Sequence, residues 1–279
     1  MPHDDSAAAA ARRRSVLTWG ALSIGLLLVT SAQFEQPARA ASDPAQSAAT
    51  AELPSGSDGA LIRYGRSLIT DTRKFAGSYI TADMSCSACH ISGGTVPHGG
   101  SLLGTYARFP QWNSRAKRFI TLQDRLAECF LYSMNGRPPP YTSREMIAMV
   151  AYIAFLSKGA PVGSGFPGQD FVTVVAAKPG NAAAGAKIYA TQCSACHGAD
   201  GSGDHGAFPP LWGAKSFNDG AGMNTKMARF VKANMPLGRG GTLSDQEAVD
   251  VSAFVLSHAR PHFDRNRTIA FPDHRAGFF

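Results

Sequence analysis

The sequence predicts an all-α protein of two tandem domains, and three observations support this prediction. The pentapeptide CSACH occurs twice without change, at residues 86–90 and 193–197. Each copy is followed by an amphipathic segment that begins with a helix-capping signal. A stretch rich in Gly and Pro, residues 160–180, lies between the two halves and has the composition of a linker. A chain of 279 residues with 44% hydrophobic residues is long enough to build two such cores.

The N-terminus has the layout of an export signal. Three arginines at 12–14 precede an apolar run at 16–29, and the small-residue sequence ARA ends at Ala40. The alternative is an uncleaved anchor, but the apolar run is shorter than the roughly 20 residues that a membrane span needs. We therefore expect residues 1–40 to be a signal peptide for general secretion to the periplasm, cleaved after Ala40, and no stable membrane insertion. Residues 41–56, rich in Ala, Ser and Pro, are predicted to be a flexible lead-in.

The repeated pentapeptide is the strongest chemical signal in the chain. In Cys-x-x-Cys-His, two thiols add to the vinyl groups of a c-type haem and the adjacent histidine binds the iron. A disulfide, a redox pair or a zinc site would not require a histidine directly after the second cysteine. The sequence therefore predicts two covalently bound haem c groups. The attachment residues are Cys86, Cys89 and His90 for the first haem, and Cys193, Cys196 and His197 for the second.

Both halves have the same predicted helical plan. A segment with a glycine and helical apolar spacing precedes each CSACH, YGRSLITDT in the first half and GAKIYATQ in the second. Thr142 with Glu145, and Ser244 with Glu247, are predicted to form capping boxes at the start of the two closing helices. Each half therefore begins and ends with a helix on either side of its haem motif.

This plan resembles the class I cytochromes c, in which an N-terminal and a C-terminal helix cross beside one edge of the haem. The resemblance covers nearly the whole chain after the export signal. It implies a cytochrome c domain over residues 57–159, a linker over 160–180, a second cytochrome c domain over 181–259 and a tail over 260–279.

The second half contains a candidate sixth ligand for its iron. Met235 lies 38 residues after His197 and shortly before the closing helix. A thioether at that position suits an electron-transferring haem of high potential. Asn234 is a candidate for tuning Met235 or exchanging with it. The other candidate ligands, which are more typical of packing or of solvated surface, are Met223, Met227, Lys226 and Lys232.

The first half contains two candidates for the same role. Cys129 lies 39 residues after His90, which is nearly the offset of Met235 in the second half. Counted back from the closing helix, Met134 takes the place of Met235 instead. An unpaired cysteine is also often a small buried hydrophobic residue with no chemical role. The spacing therefore leaves both Cys129 and Met134 open as ligands.

Polar and cationic residues surround Cys129 in the sequence. If LQDRLAECFLYS is helical, Arg125 and Ser133 share a face with Cys129, because they lie four residues before and after it. The net charge of +7, without a lysine-rich tract or a nucleic-acid-binding motif, points to a small anion or an acidic protein as partner and not to nucleic acid. Further cations that suit an anionic ligand lie just upstream, at Arg108, Arg115, Lys117 and Arg118.

At this level of detail the chain resembles the dihaem thiosulfate dehydrogenases. The segments that carry the resemblance are CSACHISGGT, RFPQW, RLAECFLYSMNGRP, EMIAMVAYIAFLSKGAPVG and KANMPLG, in matching order over residues 60–260. The resemblance implies a catalytic haem with His90 and Cys129 as axial ligands. It also implies that Arg115, Arg125 and Ser133 hold thiosulfate.

The same resemblance assigns the second haem to electron transfer, with His197 and Met235 as axial ligands. Some members of the family have a lysine before the methionine, where this chain has Asn234. The implied reaction joins two thiosulfates into tetrathionate, can run in reverse, and passes electrons to a small cytochrome c or an iron–sulfur protein. Two alternatives stay open. One is a non-catalytic dihaem electron carrier for a periplasmic dehydrogenase, with Met134 as ligand, and the other is a subunit that conjugates sulfur compounds onto a carrier protein.

Overall fold

A computed structural model describes residues 43–114, 116–204 and 206–263. The predicted signal peptide and most of the predicted tail, from residue 264 onward, lie outside the described residues. Within the described ranges, no helix combines the length and the apolar composition that a membrane crossing requires.

The described part of the chain is mostly helical, as predicted. The first half contains α1 (Pro44–Thr50), α2 (Gly56–Thr70), α3 (Thr72–Ala76), the irregular turn α4 (Ile91–Gly94), α5 (Leu122–Tyr132) and α6 (Arg144–Phe155). The second half contains α7 (Ala182–Gln192), α8 (Ser194–His197), α9 (Met227–Asn234) and α10 (Asp245–Leu256). A small hairpin that the sequence did not predict pairs β1 (Gln111–Asn113) antiparallel with β2 (Arg118–Ile120). Short 3₁₀ turns lie at Gly77–Tyr79, Cys86–Ala88, Tyr106–Arg108, Asp219–Ala221 and Met223–Thr225.

The two halves use the same close helix crossing. α2 packs against α6, and α7 packs against α10. A Cβ atom on Gly65 of α2 would lie 1.9 Å from the carbonyl oxygen of Ala148, and one on Gly185 of α7 would lie 2.0 Å from that of Asp250. Because no side chain fits at such distances, glycine is required at both crossings. The glycine that precedes each CSACH in the sequence therefore has a packing role.

Of the two predicted capping boxes, the one at α10 is present and the one at α6 is not. Ser244 and Glu247 form the predicted box at the start of α10. At α6 the prediction of Thr142 is wrong, because the neighbouring Ser143 caps the helix with its hydroxyl. The carboxylate of Glu145 accepts a hydrogen bond from a tyrosine of α2 instead of closing a box.

The prediction of a flexible lead-in over residues 41–56 is wrong where α1 forms. The carboxylate of Asp43 accepts from the amide of Ala45 at 2.9 Å and caps the helix. Pro44 fits the first turn because its fixed φ suits a helix, and alanine is the best helix former. Ala45 and Ala48 are buried against the first hydrophobic core.

The segment 160–180 joins the halves, but it is more than a spacer. Phe166 is buried in the first core. The imidazole of His98 hydrogen-bonds to the carbonyl of Asp170 at 2.6 Å. From the second half, the guanidinium of Arg229 donates to two carbonyls of the same segment. The segment is therefore fastened to both halves.

Two hydrophobic cores support the two halves. The first lies between α2, α5 and α6 and includes Leu68, Met149 and Tyr152. The second is built on α7, α9 and α10, but Met84 and Met134 of the first half also belong to it. The halves are thus packed together, and the residues described form one compact unit.

Candidate active site

Each CSACH motif lines a large cavity. The first cavity measures about 400 Å³ and the second about 470 Å³, which is the size range of cofactor sites. All five cysteines of the chain are free thiols, so none of the motif cysteines is taken by a disulfide. The motif residues fit covalent haem, because two thiols and an adjacent histidine line each cavity. These residues are Cys86, Cys89 and His90 in the first cavity and Cys193, Cys196 and His197 in the second.

Backbone carbonyls orient both histidines. His90 Nδ1 hydrogen-bonds to the carbonyl of Gly100, and His197 Nδ1 to that of Pro209 at 3.0 Å. With Nδ1 donating to a carbonyl, Nε2 is left to bind a metal. Gly100 has a φ of +63°, and a Cβ there would lie 2.3 Å from the carbonyl oxygen of Cys89, so the carbonyl can approach His90 only because this residue is glycine.

The second cavity receives Met235 from the end of α9. Met235 is the C-terminal cap of α9 and lines the cavity. Asn234 does not line it, since its buried amide donates to the carbonyls of Phe230 and His98 at 2.9 and 3.0 Å. Asn234 therefore ties α9 to the first half instead of facing the second cavity.

The other predicted candidates for the second iron have different places. Met223 and Met227 line the second cavity. Lys232 donates to the carbonyl of Leu243 at 2.6 Å. Lys226 lines the first cavity, which the sequence did not predict.

Helix α5 presents the predicted cluster to the first cavity. A capping box of Thr121 and Asp124 fixes the start of this helix. Arg125, Cys129 and Ser133 all line the first cavity. Ser133 is the C-terminal cap of α5, one turn beyond Cys129, so the hydroxyl and the thiol border the same space.

The charges around Cys129 favour its thiolate. Burial raises the pKa of the Cys129 thiol, but the positive charge of Arg125 and the hydrogen bond and charge of His90 outweigh burial, so the pKa lies below its ordinary value. In the same cavity, burial raises the pKa of Cys86 to about 12 and that of Cys89 to about 11. Cys129 is therefore the thiol of the first cavity whose surroundings stabilise negative charge.

A buried carboxylate adjoins this cluster. Arg125 Nη1 lies 3.4 Å from Glu128 Oε2, and the side-chain amide of Asn113 donates to both oxygens of Glu128 at 3.1 and 3.2 Å. The hairpin that carries Asn113 thus supports the carboxylate that holds Arg125. The pKa of Arg125 is raised, chiefly by the nearby Cys129 thiolate.

Cations distinguish the two cavities. Arg108, Arg125 and Lys226 line the first cavity, whereas the described residues that line the second include no Lys, Arg, Asp or Glu. Arg118 pairs with Asp124 at 3.1 Å and, like Lys117, lies on the exposed hairpin and not in the cavity lining. The predicted substrate residue Arg115 lies outside the described residues.

The competing ligand Met134 also borders the first cavity. Its side chain is 3% exposed and packs in the second core with Met84 and Phe217. Cys129, in contrast, lies outside both hydrophobic cores and lines the first cavity together with His90 and Arg125. Met134 packs at the boundary between the halves, so Cys129 is the sulfur that the charged groups of the first cavity surround.

Comparison with known proteins agrees with this geometry. A family model described as the SoxA/TsdA cytochrome c domain matches residues 73–162, and one described as cbb3-type cytochrome c oxidase subunit III matches residues 180–255. The thiosulfate dehydrogenase of Allochromatium vinosum is 41% identical over 226 residues, covering 77% of this chain and 84% of that protein. The chain belongs to the thiosulfate dehydrogenase family. Its two cytochrome c domains and the two covalent haem c groups that they carry are thereby confirmed.

Further members of the family support the assignment. The thiosulfate dehydrogenase of Stutzerimonas stutzeri is 40% identical over 221 residues, covering 77% of this chain and 72% of that protein. The solved structure of thiosulfate dehydrogenase (TsdBA) from Marichromatium purpuratum, in its as-isolated form, superposes with a TM-score of 0.72 at 32% identity over 81% of this chain. The chain spans about half of that longer protein, 52% of its length.

In this member of the thiosulfate dehydrogenase family, the two cavities share a wall. The residues that line both are Met84, Cys89, Phe217 and Met223. Gln169 and Phe171 of the connecting segment also line the first cavity. Sequence reasoning missed these contributions from outside the first half, because they arise from packing between halves and have no local pattern.

Proposed function

We propose that this protein is a periplasmic thiosulfate dehydrogenase, which joins two thiosulfates into tetrathionate and passes two electrons to another redox protein. The observation that carries the proposal is the contrast between the cavities. A thiol with a lowered pKa, Cys129, and three cations line the first cavity, whereas the described residues that line the second include no Lys, Arg, Asp or Glu. The names of the relatives support the same substrate.

In this proposal the first haem is catalytic and the second transfers electrons. Each haem, when bound, accepts one electron, so two haems match the two electrons of the reaction. The residues that would hold the first haem are Cys86, Cys89 and His90, and Cys129 is the proposed second ligand of its iron. The residues that would hold the second are Cys193, Cys196 and His197, and Met235 is the proposed second ligand of its iron.

The side chains around Cys129 bind and orient thiosulfate. Arg125 donates charge-assisted hydrogen bonds to sulfonate oxygens, and the Ser133 hydroxyl donates another. By resemblance to the family, Arg115 adds a second guanidinium. These donors place the terminal sulfur of thiosulfate beside the sulfur of Cys129.

The sulfur chemistry balances in two steps. The Cys129 thiolate and one thiosulfate form a Cys–S–S–SO₃⁻ adduct with the loss of two electrons, which the two bound haems would accept. The terminal sulfur of a second thiosulfate then attacks the adduct, which releases tetrathionate and restores the thiolate. No proton is consumed or released. The same steps in reverse reduce tetrathionate, and the haem potentials set the direction.

Because the two cavities share a wall, electrons would have a short route between two bound haems. Cys89, an attachment residue of the first haem, also borders the second cavity. The acceptor in the proposal is a small cytochrome c or an iron–sulfur protein. Removal of residues 1–40 takes away four arginines and three acidic residues, so the net charge changes from +7 to +6 and still favours an acidic partner.

The alternative carrier function predicts a different first haem. A carrier would use Met134 as distal ligand and leave Cys129 inert. The ferric absorption spectrum separates the two, because methionine ligation gives a weak far-red band and thiolate ligation a differently placed one. Two methionine-ligated haems without a thiolate component would favour the carrier.

The proposal is tested directly on the purified dihaem protein. Thiosulfate and ferricyanide are added, and tetrathionate and reduced ferricyanide are quantified together. We expect one tetrathionate for two thiosulfates and two ferricyanides. A protein with both haems attached that forms no tetrathionate would overturn the proposal. Turnover without any partner subunit would exclude the alternative of a subunit that conjugates sulfur onto a carrier protein.

A further inference from the structure

The proposed reaction requires charge compensation for two sulfonate groups in one cavity. A thiosulfate dianion that approaches the Cys–S–S–SO₃⁻ adduct is repelled by the sulfonate of that adduct in a site of low dielectric. Arg125 is already paired with the carboxylate of Glu128 at 3.4 Å, and the side-chain amide of Asn113 holds that carboxylate in place. Because Glu128 already offsets much of the positive charge of Arg125, this guanidinium can compensate little of the charge of a second thiosulfate.

Arg108 is a further guanidinium that lines the same cavity, and it is not paired with a carboxylate as Arg125 is. Arg108 ends the 3₁₀ turn Tyr106–Arg108, and its Nη1 donates to Gln169 Oε1 at 3.4 Å. In the part of the chain that the structure describes, no carboxylate lies within salt-bridge distance of Arg108. The charge of Arg108 is thus available to an anion in the first cavity.

The partner of Arg108 is itself fixed in place. The side-chain amide of Gln169 donates to the carbonyl of Leu103 at 2.5 Å and to the hydroxyl of Thr105 at 3.1 Å. With its nitrogen occupied in this way, Gln169 turns its oxygen towards Arg108. Gln169 lies in the connecting segment 160–180, so that segment orients a cation of the first cavity.

A third cation reaches the first cavity from the second half. Lys226 directly precedes α9 and is among the residues lining the first cavity. Its ammonium adds a positive charge to the same cavity as Arg108. No such cation lies among the described lining residues of the second cavity, so the charge is concentrated where the anions react.

We propose that Arg108, held by Gln169, and Lys226 form a second sulfonate-binding subsite in the first cavity. This subsite receives the second thiosulfate, and afterwards one end of tetrathionate, while Arg125 and Ser133 hold the other end. The inference rests on the proposed function and adds two substrate-binding residues to it. A haem propionate would offer a carboxylate to the same cations, and the experiment below separates the two anions.

The test compares Arg108→Gln and Lys226→Gln with wild-type protein, each purified with both haems. The matched control is Lys117→Gln, which removes one positive charge from the exposed hairpin outside the cavity lining. The measurements are the KM for thiosulfate, the affinity for tetrathionate by spectral titration, and the potential of the first haem. We expect the KM for thiosulfate to rise, and the affinity for tetrathionate to fall, each by about tenfold or more. The loss of one hydrogen bond to a charged group produces a change of this size. The haem potential and the control protein should stay at wild-type values.

The outcomes are distinct. Wild-type KM and tetrathionate affinity in both variants would overturn the subsite. A shifted first-haem potential with an unchanged KM would assign the cations to a propionate and overturn it equally. Haem content and thermal unfolding check the fold, and Lys226→Gln carries the test if Arg108→Gln does not fold. A wild-type protein that makes no tetrathionate would contradict the proposed function. An active wild type, with variants whose KM and tetrathionate affinity are unchanged, would contradict only this inference.

Discussion

Arg125 is the side chain on which the charge balance of the first cavity depends. It neighbours two negative groups, the carboxylate of Glu128 and the thiolate of Cys129, and raises the stability of both. Its side chain is 42% exposed and lines the first cavity, where the proposed substrate would bind. In the proposal, this single residue links the activation of the cysteine with the binding of the anion.

Truncation of this guanidinium should reduce catalysis. For Arg125→Ala we expect a loss of about 1.5 to 3 kcal/mol of binding or transition-state stabilisation, a fall of roughly ten- to hundredfold in kcat/KM for thiosulfate. Arg118→Ala is the control, because Arg118 pairs with Asp124 and is not part of the cavity lining. Normal kinetics of Arg125→Ala would place this residue outside the substrate site.

The assignment of Met235 leads to a separate prediction. Met235→Gly removes the proposed distal ligand of the second haem, so thiosulfate binding should stay largely intact while electron delivery to an acceptor slows. Stopped-flow spectra of the two haems measure this. Met227→Leu is the control, since Met227 lines the same cavity without being the proposed ligand. Unchanged spectra and turnover in Met235→Gly would refute the ligand assignment.

The sequence predicted the place of some site residues in the cavities and not that of others. The two haem motifs are a contiguous pattern, and the shared helix face of Arg125 and Cys129 follows from their spacing. Nothing in the sequence singled out Arg108 among the four upstream cations. Lys226 was considered for the second haem, but the start of α9 turns it towards the first cavity. Such positions depend on tertiary contacts that have no periodicity.

At the scale of elements, the paired helix crossings set the frame that holds each haem motif. α7 leads directly into its CSACH, and α2 precedes its CSACH with α3 in between. Each of the two helices lies against the closing helix of its half through a glycine. The motif is thereby held at a fixed distance from the closing helix. The motif that is repeated in the sequence therefore coincides with a glycine-mediated helix crossing that is repeated in the structure.

Added volume at these crossings should destabilise the fold. Gly65→Ala and Gly185→Ala each place a methyl group within about 2 Å of a backbone oxygen, and overpacking of this kind typically costs about 1 to 3 kcal/mol. Gly77→Ala is the control, because no atom lies within 4 Å of a Cβ there. Thermal unfolding of the three proteins gives the comparison. Equal stability of all three would show that the crossings relax without cost.

The ends of elements were less predictable than their existence. Ser244 and Glu247 were identified correctly because no competing cap is adjacent, whereas Thr142 and Ser143 are neighbouring residues of nearly equal capping ability. α1 was missed because an Ala- and Ser-rich composition suggested disorder, although Asp43 and Pro44 start a helix. The strands of the hairpin span three residues each, too few to show an alternating pattern.

At the scale of the whole molecule, the first cavity is a product of both halves. Phe217, Met223 and Lys226 reach it from the second half, and Gln169 from the connecting segment. The buried amide of Asn218 donates to the carbonyl of Leu131 in α5 at 2.7 Å and ties the helix of Cys129 to the second half. The duplication was evident in the sequence, but this mutual dependence was not.

The central claim is that Cys129 is the distal ligand of the haem on His90 and the sulfur on which catalysis depends. Cys129→Met tests it most directly, because the variant keeps a soft sulfur near the iron and removes the thiolate. We expect both haems to stay attached, the first haem to stay low-spin with a raised potential, and circular dichroism to show an intact fold.

The deciding measurement is the rate of thiosulfate-dependent cytochrome reduction by purified Cys129→Met protein. A catalyst that requires a nucleophilic sulfur should lose nearly all of this activity, whereas an electron carrier would tolerate the change. Reduction at the wild-type rate would contradict both the ligand assignment and the catalytic role of Cys129, and would favour the carrier with Met134 as ligand.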